Sequence, residues 1–337
     1  MEAKKESLVK KIFFWPSKNI ALIIPMVLAV GFATGLLVDT GALKKFILPI
    51  TVLMIYPTMI GFKLREVLNL SHGRLMFTVI ILNFLLVPGI AYLLGIGFLL
   101  SDPQLFAGLA ITSLLPTSNM TIAFTMLANG NVPAAVKLTT TGLLIGSVLT
   151  PWYLLVMVGK YVPVDTLLTL KTIAVVIVLP LIMGVLTYSQ LLKKYSQEQF
   201  QKNIKPYLPA ASAWGMVLII FISISINAPR IAAHLEIFAT AFLIQIVFYA
   251  INYTLAILAG RVFFTPKDAL TLVFSTALRN LSISIGLAAT AFGPNAALMV
   301  SLAFLIQGQA AAWFIKLNEK YSLLTGSKFA DQQTVKN

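Results

Sequence analysis

One arginine lies deep within an apolar stretch of this sequence. Arg279 stands near the centre of residues 268–292, and no Asp or Glu occupies the centre of any comparable stretch. A charged side chain at that depth in a membrane costs at least ~2.5 kcal/mol, so such residues usually have a functional role. A guanidinium donates two parallel hydrogen bonds to carboxylate, phosphate or sulfonate. Arg279 therefore predicts an anionic ligand; the alternative is an arginine satisfied by backbone carbonyls at a broken helix.

Hydroxyl and amide side chains cluster around this arginine and again in a second apolar stretch. The second cluster follows Pro116 directly, and proline removes a backbone donor and clashes with the preceding turn. Backbone groups freed in lipid must find protein, water or ligand partners. We predict a substrate-binding site formed by Thr117, Ser118, Asn119, Thr121, Arg279, Asn280 and Ser282. The alternative is a proline kink patched by local Ser and Thr hydrogen bonds.

Further polar residues at depth are candidates for lining a cavity or binding an ion. They are Asn83, Thr139, Ser275, Gln307, Gln309 and Lys137. Lys137 lies about one turn into its stretch, so it could extend to the membrane surface or attract an anion along an entry path. The glutamines could line a cavity or link helices. Without cysteine, and without a deep His or Asp cluster, the sequence predicts no catalytic residue, metal site or cofactor.

The chain that carries these residues is too apolar for a soluble domain. Of its 337 residues, 58% are hydrophobic and 11% are charged, whereas soluble domains have roughly 25% charged residues. The net charge of +14 comes from basic residues in short segments between apolar runs, which is a membrane pattern rather than a nucleic-acid-binding one. We predict an all-α integral membrane protein that contacts lipid and binds no nucleic acid.

Ten stretches approach the roughly 20 apolar residues that a transmembrane helix needs. They are 19–39, 46–62, 75–100, 104–128, 132–159, 166–192, 207–227, 231–258, 268–292 and 295–315. With the N-terminus inside, the outer loops hold only Lys44, Lys45, Lys160 and Arg230 of the 25 Lys and Arg. Basic residues favour the cytoplasmic side. We therefore expect segments 1–18 and 317–337 in the cytoplasm, and the spans in a plasma (inner) membrane.

The second half of the chain echoes the first. Ser-Asn-Met-Thr-Ile-Ala at 118–123 matches Arg-Asn-Leu-Ser-Ile-Ser at 279–284. Four more pairs follow in the same order: Pro25 and Pro180, Pro49 and Pro209, Asn83 and Asn252, Trp152 and Trp313. Each pair joins a span to the fifth span after it, which predicts five-helix repeats at 19–159 and 160–316. Because five is odd, the second repeat is inverted, as in many alternating-access transporters.

Several motifs resemble those of a known family. LPITVLMIYP at 48–57, LNFLLVP at 82–88 and the spacing from Pro116 to Gly130 resemble the bile acid:sodium symporter superfamily, most closely its arsenite-efflux permease branch. The resemblance extends over nearly all ten spans. It implies ten transmembrane helices divided between a core and a panel domain, with discontinuous helices 4 and 9 crossing in the core.

The chain departs from the arsenite branch where that branch binds its substrate. Arsenite permeases are expected to have a cysteine directly after the span-4 proline, where this chain has Thr117. Their glutamates in spans 9 and 10 fall on Ser282 and Gln307. Arsenite is a neutral, thiol-seeking acid, so a site with arginine and no cysteine fits it poorly.

The chain also departs from the sodium-coupled members of the superfamily. Those members bind sodium through a span-9 glutamate and a glutamine four residues later, which fall here on Ser275 and Arg279. Asn83 keeps the amide of another ligand, and Thr139 keeps a hydroxyl that could match one more. A fixed cation at this place should repel sodium. Our hypothesis is that Arg279 is a built-in substitute for the coupling cation.

Together these features predict a secondary-active transporter of a small anion, either an organic acid or an oxyanion, that works by alternating access without a conventional sodium site. One alternative is sodium-coupled symport of organic or bile-acid-like anions; another is arsenite or antimonite efflux. The role of sodium and the choice between monomer and homodimer stay open. An enzyme, receptor or channel fits less well, because an enzyme needs a deep His, Asp or Cys set and a channel needs no paired broken helices.

Overall fold

The computed structural model describes residues 8–61, 72–162 and 166–324, and its regular elements are helices throughout. The helices, in chain order, are α1 (Leu8–Lys18), α2 (Ile20–Leu37), α3 (Gly41–Met59), α4 (Gly73–Phe98), α5 (Pro103–Leu114), α6 (Asn119–Leu127), α7 (Val132–Val158), α8 (Leu170–Lys194), α9 (Tyr207–Ala233), α10 (Leu235–Phe263), α11 (Pro266–Ala277), α12 (Leu281–Ala291) and α13 (Pro294–Tyr321). A short helical segment, Gln197–Gln199 with Phe200–Ile204, precedes α9. The predicted terminal segments extend beyond the described ranges.

Seven of the described helices are long and apolar enough to cross a membrane: α3, α4, α7, α8, α9, α10 and α13. The pair α1 and α2, bent by 95° at their junction, counts as an eighth. The prediction of an all-α integral membrane protein is therefore confirmed. Predicted spans 4 and 9 are each divided into two shorter helices, α5 with α6 and α11 with α12.

One predicted loop is helical in the structure. We expected the seventh span to end at residue 227, before Pro229 and Arg230, but α9 continues through both residues to Ala233. His234 alone separates α9 from α10. A proline inside a membrane helix is tolerated where neighbouring helices surround it. Helix α2 is such a neighbour. It approaches α9 so closely that a Cβ at Gly35 would lie 1.9 Å from the carbonyl oxygen of Ser225.

The two broken helices cross each other at their breaks. The segment between α5 and α6 runs antiparallel to the segment between α11 and α12, with Pro116 opposite Arg279. The amide of Thr117 donates to the carbonyl of Leu278, and the amide of Asn280 donates to that of Leu115, both at 2.9 Å. Non-helical backbone inside a membrane protein must find such partners. Each break thus stabilises the other, and the prediction of discontinuous crossing helices is confirmed.

The helices form two groups that face each other across the crossing. In the first, which we call the panel group, α9 packs on α2 and α3, and α3 packs on α8. In the second, the core group, α5 packs on α4, α7 and α13, and α10 packs on α11 and α13. The groups meet where α9 contacts α13 and where α3 contacts α12. This division agrees with the panel and core domains that the resemblance implied.

Candidate substrate site at the helix crossing

Arg279 lies at the centre of the crossing and has no exposed surface. Its Nη1 donates to the carbonyl oxygen of Ser113 at 3.3 Å, and its Nη2 donates to that of Thr276. These two carbonyls belong to the last turns of α5 and α11. Helix C-termini carry unpaired carbonyls and a partial negative charge. The guanidinium therefore occupies the point where the negative ends of two half-helices converge.

No carboxylate pairs with Arg279 in the described part of the chain, and the ion pairs of Arg230 with Asp102 and of His234 with Glu236 involve other residues. Among the same residues, the Nε of Arg279 has no hydrogen-bond partner. Arg279 therefore makes the contacts expected of an arginine that is satisfied by backbone carbonyls at a broken helix, which was the alternative to an anionic ligand. It also leaves a full positive charge that only carbonyl dipoles balance.

A cavity of about 150 Å³ separates the crossing from the panel group. One wall contains six of the residues predicted from sequence: Ser118, Thr139, Arg279, Asn280, Ser282 and Gln307. The opposite wall comes from the ends of α3 and α9, with Thr58, Met59, Pro209, Ser212, Ala213 and Met216. Ser118, Asn280 and Ser282 are half-buried. Arg279 also lines the cavity, but it has no exposed surface.

The N-terminal ends of two half-helices border this cavity. Ser118 caps α6, because its Oγ accepts from the amide of Met120 at 3.2 Å and its own amide donates to the Thr121 hydroxyl at 3.1 Å. Asn280 caps α12, and its Oδ1 accepts from the amide of Ile283 at 3.3 Å. The first amides of a helix have no intrahelical acceptor and attract anions. The crossing therefore places positive helix ends beside the cavity and negative ends on Arg279.

Other predicted binding residues lie inside the protein, away from the cavity. Thr117 is fully buried and has a φ of 62°, and its hydroxyl donates to the Pro116 carbonyl at 2.7 Å. Thr121 is also fully buried, and its hydroxyl lies 3.4 Å from the Phe274 carbonyl. Both side chains stabilise the break. Asn119 begins α6, and its side chain lies outside the described residues.

Two further polar candidates, Gln309 and Lys137, are not among the residues that line the cavity. Gln309 is exposed on nearly the opposite face of α13 from Gln307, since residues two positions apart in a helix point in different directions. Lys137 is only 3% exposed, so its side chain lies within the protein rather than at the lipid surface.

The predicted sodium-site positions carry hydrogen-bond donors in the structure. Asn83, in a π-helical turn of α4, donates through Nδ2 to the Ser275 carbonyl at 2.9 Å. Arg279 donates to the next carbonyl, that of Thr276. Two carbonyls at the end of α11 are thus already bound by nitrogen donors. Within the described residues, the side-chain oxygens of Asn83 and Ser275 are buried without partners.

Tyr249 is a residue of the site that the sequence analysis missed. It lies on α10, is 1% exposed, and donates its hydroxyl to Gln307 Oε1 at 2.9 Å. A tyrosine within an apolar stretch has no distinctive local pattern, so only the fold shows that it contacts the crossing. The other contacts of Gln307 are with the backbone of Arg279, and with the sulfur of Met120 at 3.8 Å.

Comparison with known proteins places these features in one family. The sequence model of the Sodium Bile acid symporter family matches residues 48–234. An uncharacterized protein of Pseudomonas aeruginosa, PA2026, is 28% identical over 240 residues, which are 68% of this chain and 69% of that protein. The uncharacterized sodium-dependent transporter YocS of Bacillus subtilis is 23% identical over 65% of each chain. Sodium/bile acid cotransporter 7 of Xenopus tropicalis is 24% identical over 54% of this chain and 53% of its own.

Proposed function

Because this chain belongs to the Sodium Bile acid symporter family and is thus an integral membrane transporter rather than an enzyme, we propose that it carries a small anion by alternating access without a conventional sodium site. One observation carries the proposal. The Arg279 guanidinium donates to carbonyls at the ends of two half-helices and has no carboxylate partner among the described residues.

The positive charge of Arg279 lies at the kind of position that a coupling cation occupies in other transporters. In transporters with broken helices, the C-terminal half-helix ends coordinate the cation, and the N-terminal ends point at anionic groups of the substrate. Here the guanidinium occupies the first position, and the N-termini of α6 and α12 border the cavity. A charge that is part of the protein cannot dissociate. The anion would therefore bind beside a permanent cation, independently of external sodium.

The size of the cavity favours a small substrate. Ligand pockets usually enclose about 300–1,000 Å³. The cavity at the crossing has about 150 Å³, which is below this range. A short carboxylate, sulfonate or oxyanion fits this space better than a steroid. Met59, Pro209 and Met216 on the opposite wall supply apolar contacts for a short carbon chain.

The finer topology belongs to the same proposal. We propose ten crossings arranged as inverted repeats at 19–159 and 160–316, with segments 1–18 and 317–337 in the cytoplasm. The antiparallel pairing of Pro116 with Arg279 supports this arrangement, because it joins corresponding parts of the two halves. An inside-negative membrane potential would favour exit of the anion. Uniport, exchange and potential-driven export are all compatible with such a site.

Sodium-coupled transport of an organic anion is the second candidate function. The buried oxygens Asn83 Oδ1 and Ser275 Oγ have no partner among the described residues, and oxygens are the ligands that sodium prefers. Two of the relatives also have names that refer to sodium. Metalloid efflux has less support, since the chain contains no cysteine.

A thermal-shift experiment on purified protein in detergent tests the proposal. Acetate, methanesulfonate, sulfate, phosphate and arsenite would each be added in sodium or in potassium salt. A ligand that binds the folded state raises its melting temperature by mass action. We expect an anion to stabilise the wild type equally in both salts and to have no effect on Arg279→Gln. Arg261→Gln, an exposed arginine at the end of α10, is the matched control and should behave as the wild type.

The opposite result would favour the second candidate function, sodium-coupled transport of an organic anion. If stabilisation requires sodium and persists in Arg279→Gln, then Arg279 is structural and the chain is a sodium symporter with unusual ligands. Arg279→Lys keeps the charge with fewer hydrogen-bond donors. It therefore replaces Arg279→Gln if the neutral variant does not fold, and the proposal expects it to keep anion binding with reduced affinity.

A further inference from the structure

The carboxamide of Gln307 pairs with the backbone of Arg279. Its Oε1 accepts from the Arg279 amide at 2.7 Å, and its Nε2 donates to the Arg279 carbonyl at 3.1 Å. Gln307 is 2% exposed and projects from α13 into the break between α11 and α12. The side chain thus pairs as a neighbouring strand would, and it satisfies both backbone polar groups of a residue that lies outside the helices.

The orientation of this carboxamide is fixed by its partners. Oε1 receives a second hydrogen bond, from the Tyr249 hydroxyl at 2.9 Å. If the oxygen and nitrogen were exchanged, the new nitrogen would face the Arg279 amide, a donor against a donor, and the new oxygen would face the Arg279 carbonyl. The position therefore requires one acceptor and one donor, side by side and buried.

We propose that Gln307 determines the charge specificity of the site: its neutral carboxamide holds the Arg279 peptide in the break and leaves the guanidinium charge for an anionic substrate. The inference rests on the proposed anion transport and assigns this residue a role within it. Gln307 acts partly through Arg279, as a positioning residue. It also borders the cavity, where any charge on it would be felt directly by a ligand.

The chemistry of an acidic residue at this position shows why the amide matters. An ionised glutamate accepts hydrogen bonds only, so it would oppose the Arg279 carbonyl with a second oxygen. It would also add a negative charge close to the buried guanidinium, where a low dielectric strengthens the interaction. The internal carboxylate would then replace the substrate as the counter-charge. A protonated glutamate has one donor and one acceptor, and it restores the pairing of the amide.

The experiment compares Gln307→Glu with Gln309→Glu, the same change two residues away on the exposed face of α13. The probes are methanesulfonate and sulfate, whose charges do not change between pH 5 and pH 9. Their affinities are measured by thermal shift in detergent across this range. We expect Gln307→Glu to bind at least tenfold more weakly than the wild type at pH 9 and to recover affinity as the pH falls. The wild type and Gln309→Glu should show no such recovery.

Tyr249→Phe provides a second variant if Gln307→Glu does not fold. It removes the hydroxyl that orients the carboxamide without adding charge, so affinity should fall by twofold to tenfold equally at all pH values. Anion affinity within twofold of the wild type in Gln307→Glu at pH 9, or in Tyr249→Phe, would overturn the inference. If neither these probes nor the others stabilise the wild type, the proposed function itself fails, which is a different result.

Discussion

Asp102 and Arg230 form an ion pair with a distance of 2.5 Å that joins the core group to the panel group. Asp102 precedes α5 and is 5% exposed, and its other oxygen caps the amide of Leu105 at 3.5 Å. Arg230 lies in the last turn of α9. The candidate substrate cavity contacts the opposite end of α9, at Pro209 to Met216, and this helix of 27 residues is roughly 40 Å long. The cavity and the ion pair are therefore at opposite ends of the interface between the groups.

In the proposed alternating access, the end of the interface that this ion pair joins must open when the two groups move apart. We expect Arg230→Gln to lower the melting temperature, because it leaves a buried carboxylate without its partner. We also expect a cysteine at Asn227, which borders a small cavity beside the ion pair, to react faster with a maleimide in this variant. The native chain has no cysteine that would interfere. Arg261→Gln is the control, and equal labelling rates in both variants would refute the gating role.

A double substitution should convert the crossing into a sodium-binding site. Ser275→Glu with Arg279→Gln replaces a buried cation by a carboxylate and an amide, next to the unpartnered Asn83 oxygen. A buried carboxylate is unfavourable without a cation. We therefore expect the melting temperature of the double variant to be several degrees higher in sodium chloride than in potassium chloride. The wild type should show no difference, and equal melting temperatures in the double variant would count against this interpretation of the site.

The sequence predicted one break of the crossing better than the other. Pro116 is a local signal, and the polar residues after it point to a broken helix in span 4. Span 9 has no proline, and its break at Leu278 to Asn280 was expected only from the repeat and the resemblance. In the structure this break is held by the paired segment around Pro116 and by the Gln307 side chain. Such long-range contacts leave no trace in the local pattern.

The candidate residues show the same limit. The depth of Arg279 and the absence of a nearby acid could be read from hydropathy, and the structure places that residue at the crossing. Thr117 and Thr121 have the same chemistry as Ser118 and lie beside it, yet only Ser118 borders the cavity. Composition identifies polar residues near a break. The backbone geometry of the break decides which of them turn toward the cavity and which bind carbonyls inside the protein.

Packing around α4 provides a prediction on stability that is independent of the site. A Cβ at Gly95 would lie 2.0 Å from the ring of Phe106, which is fully buried, whereas a Cβ at Gly97 meets nothing within 4 Å. Overpacking of this kind typically costs about 1–3 kcal/mol. We expect Gly95→Ala to lower the melting temperature and Gly97→Ala to leave it unchanged or slightly raise it. Equal melting temperatures would show that the α4–α5 contact is looser than described.

Ser282 and Thr121 allow binding to be separated from stability. Ser282 is half-buried and borders the cavity at the start of α12, so Ser282→Ala should weaken anion binding severalfold and leave the melting temperature of the free protein unchanged.

Thr121 is fully buried, and its hydroxyl accepts from the Ser118 amide. Thr121→Val keeps the shape but leaves that amide unpaired, which costs about 1–3 kcal/mol. We expect this variant to melt at a lower temperature yet to bind with an affinity within a few-fold of the wild type. Thermal melts with and without methanesulfonate measure both quantities, and the reverse pattern would place the anion on the Thr121 side of the crossing.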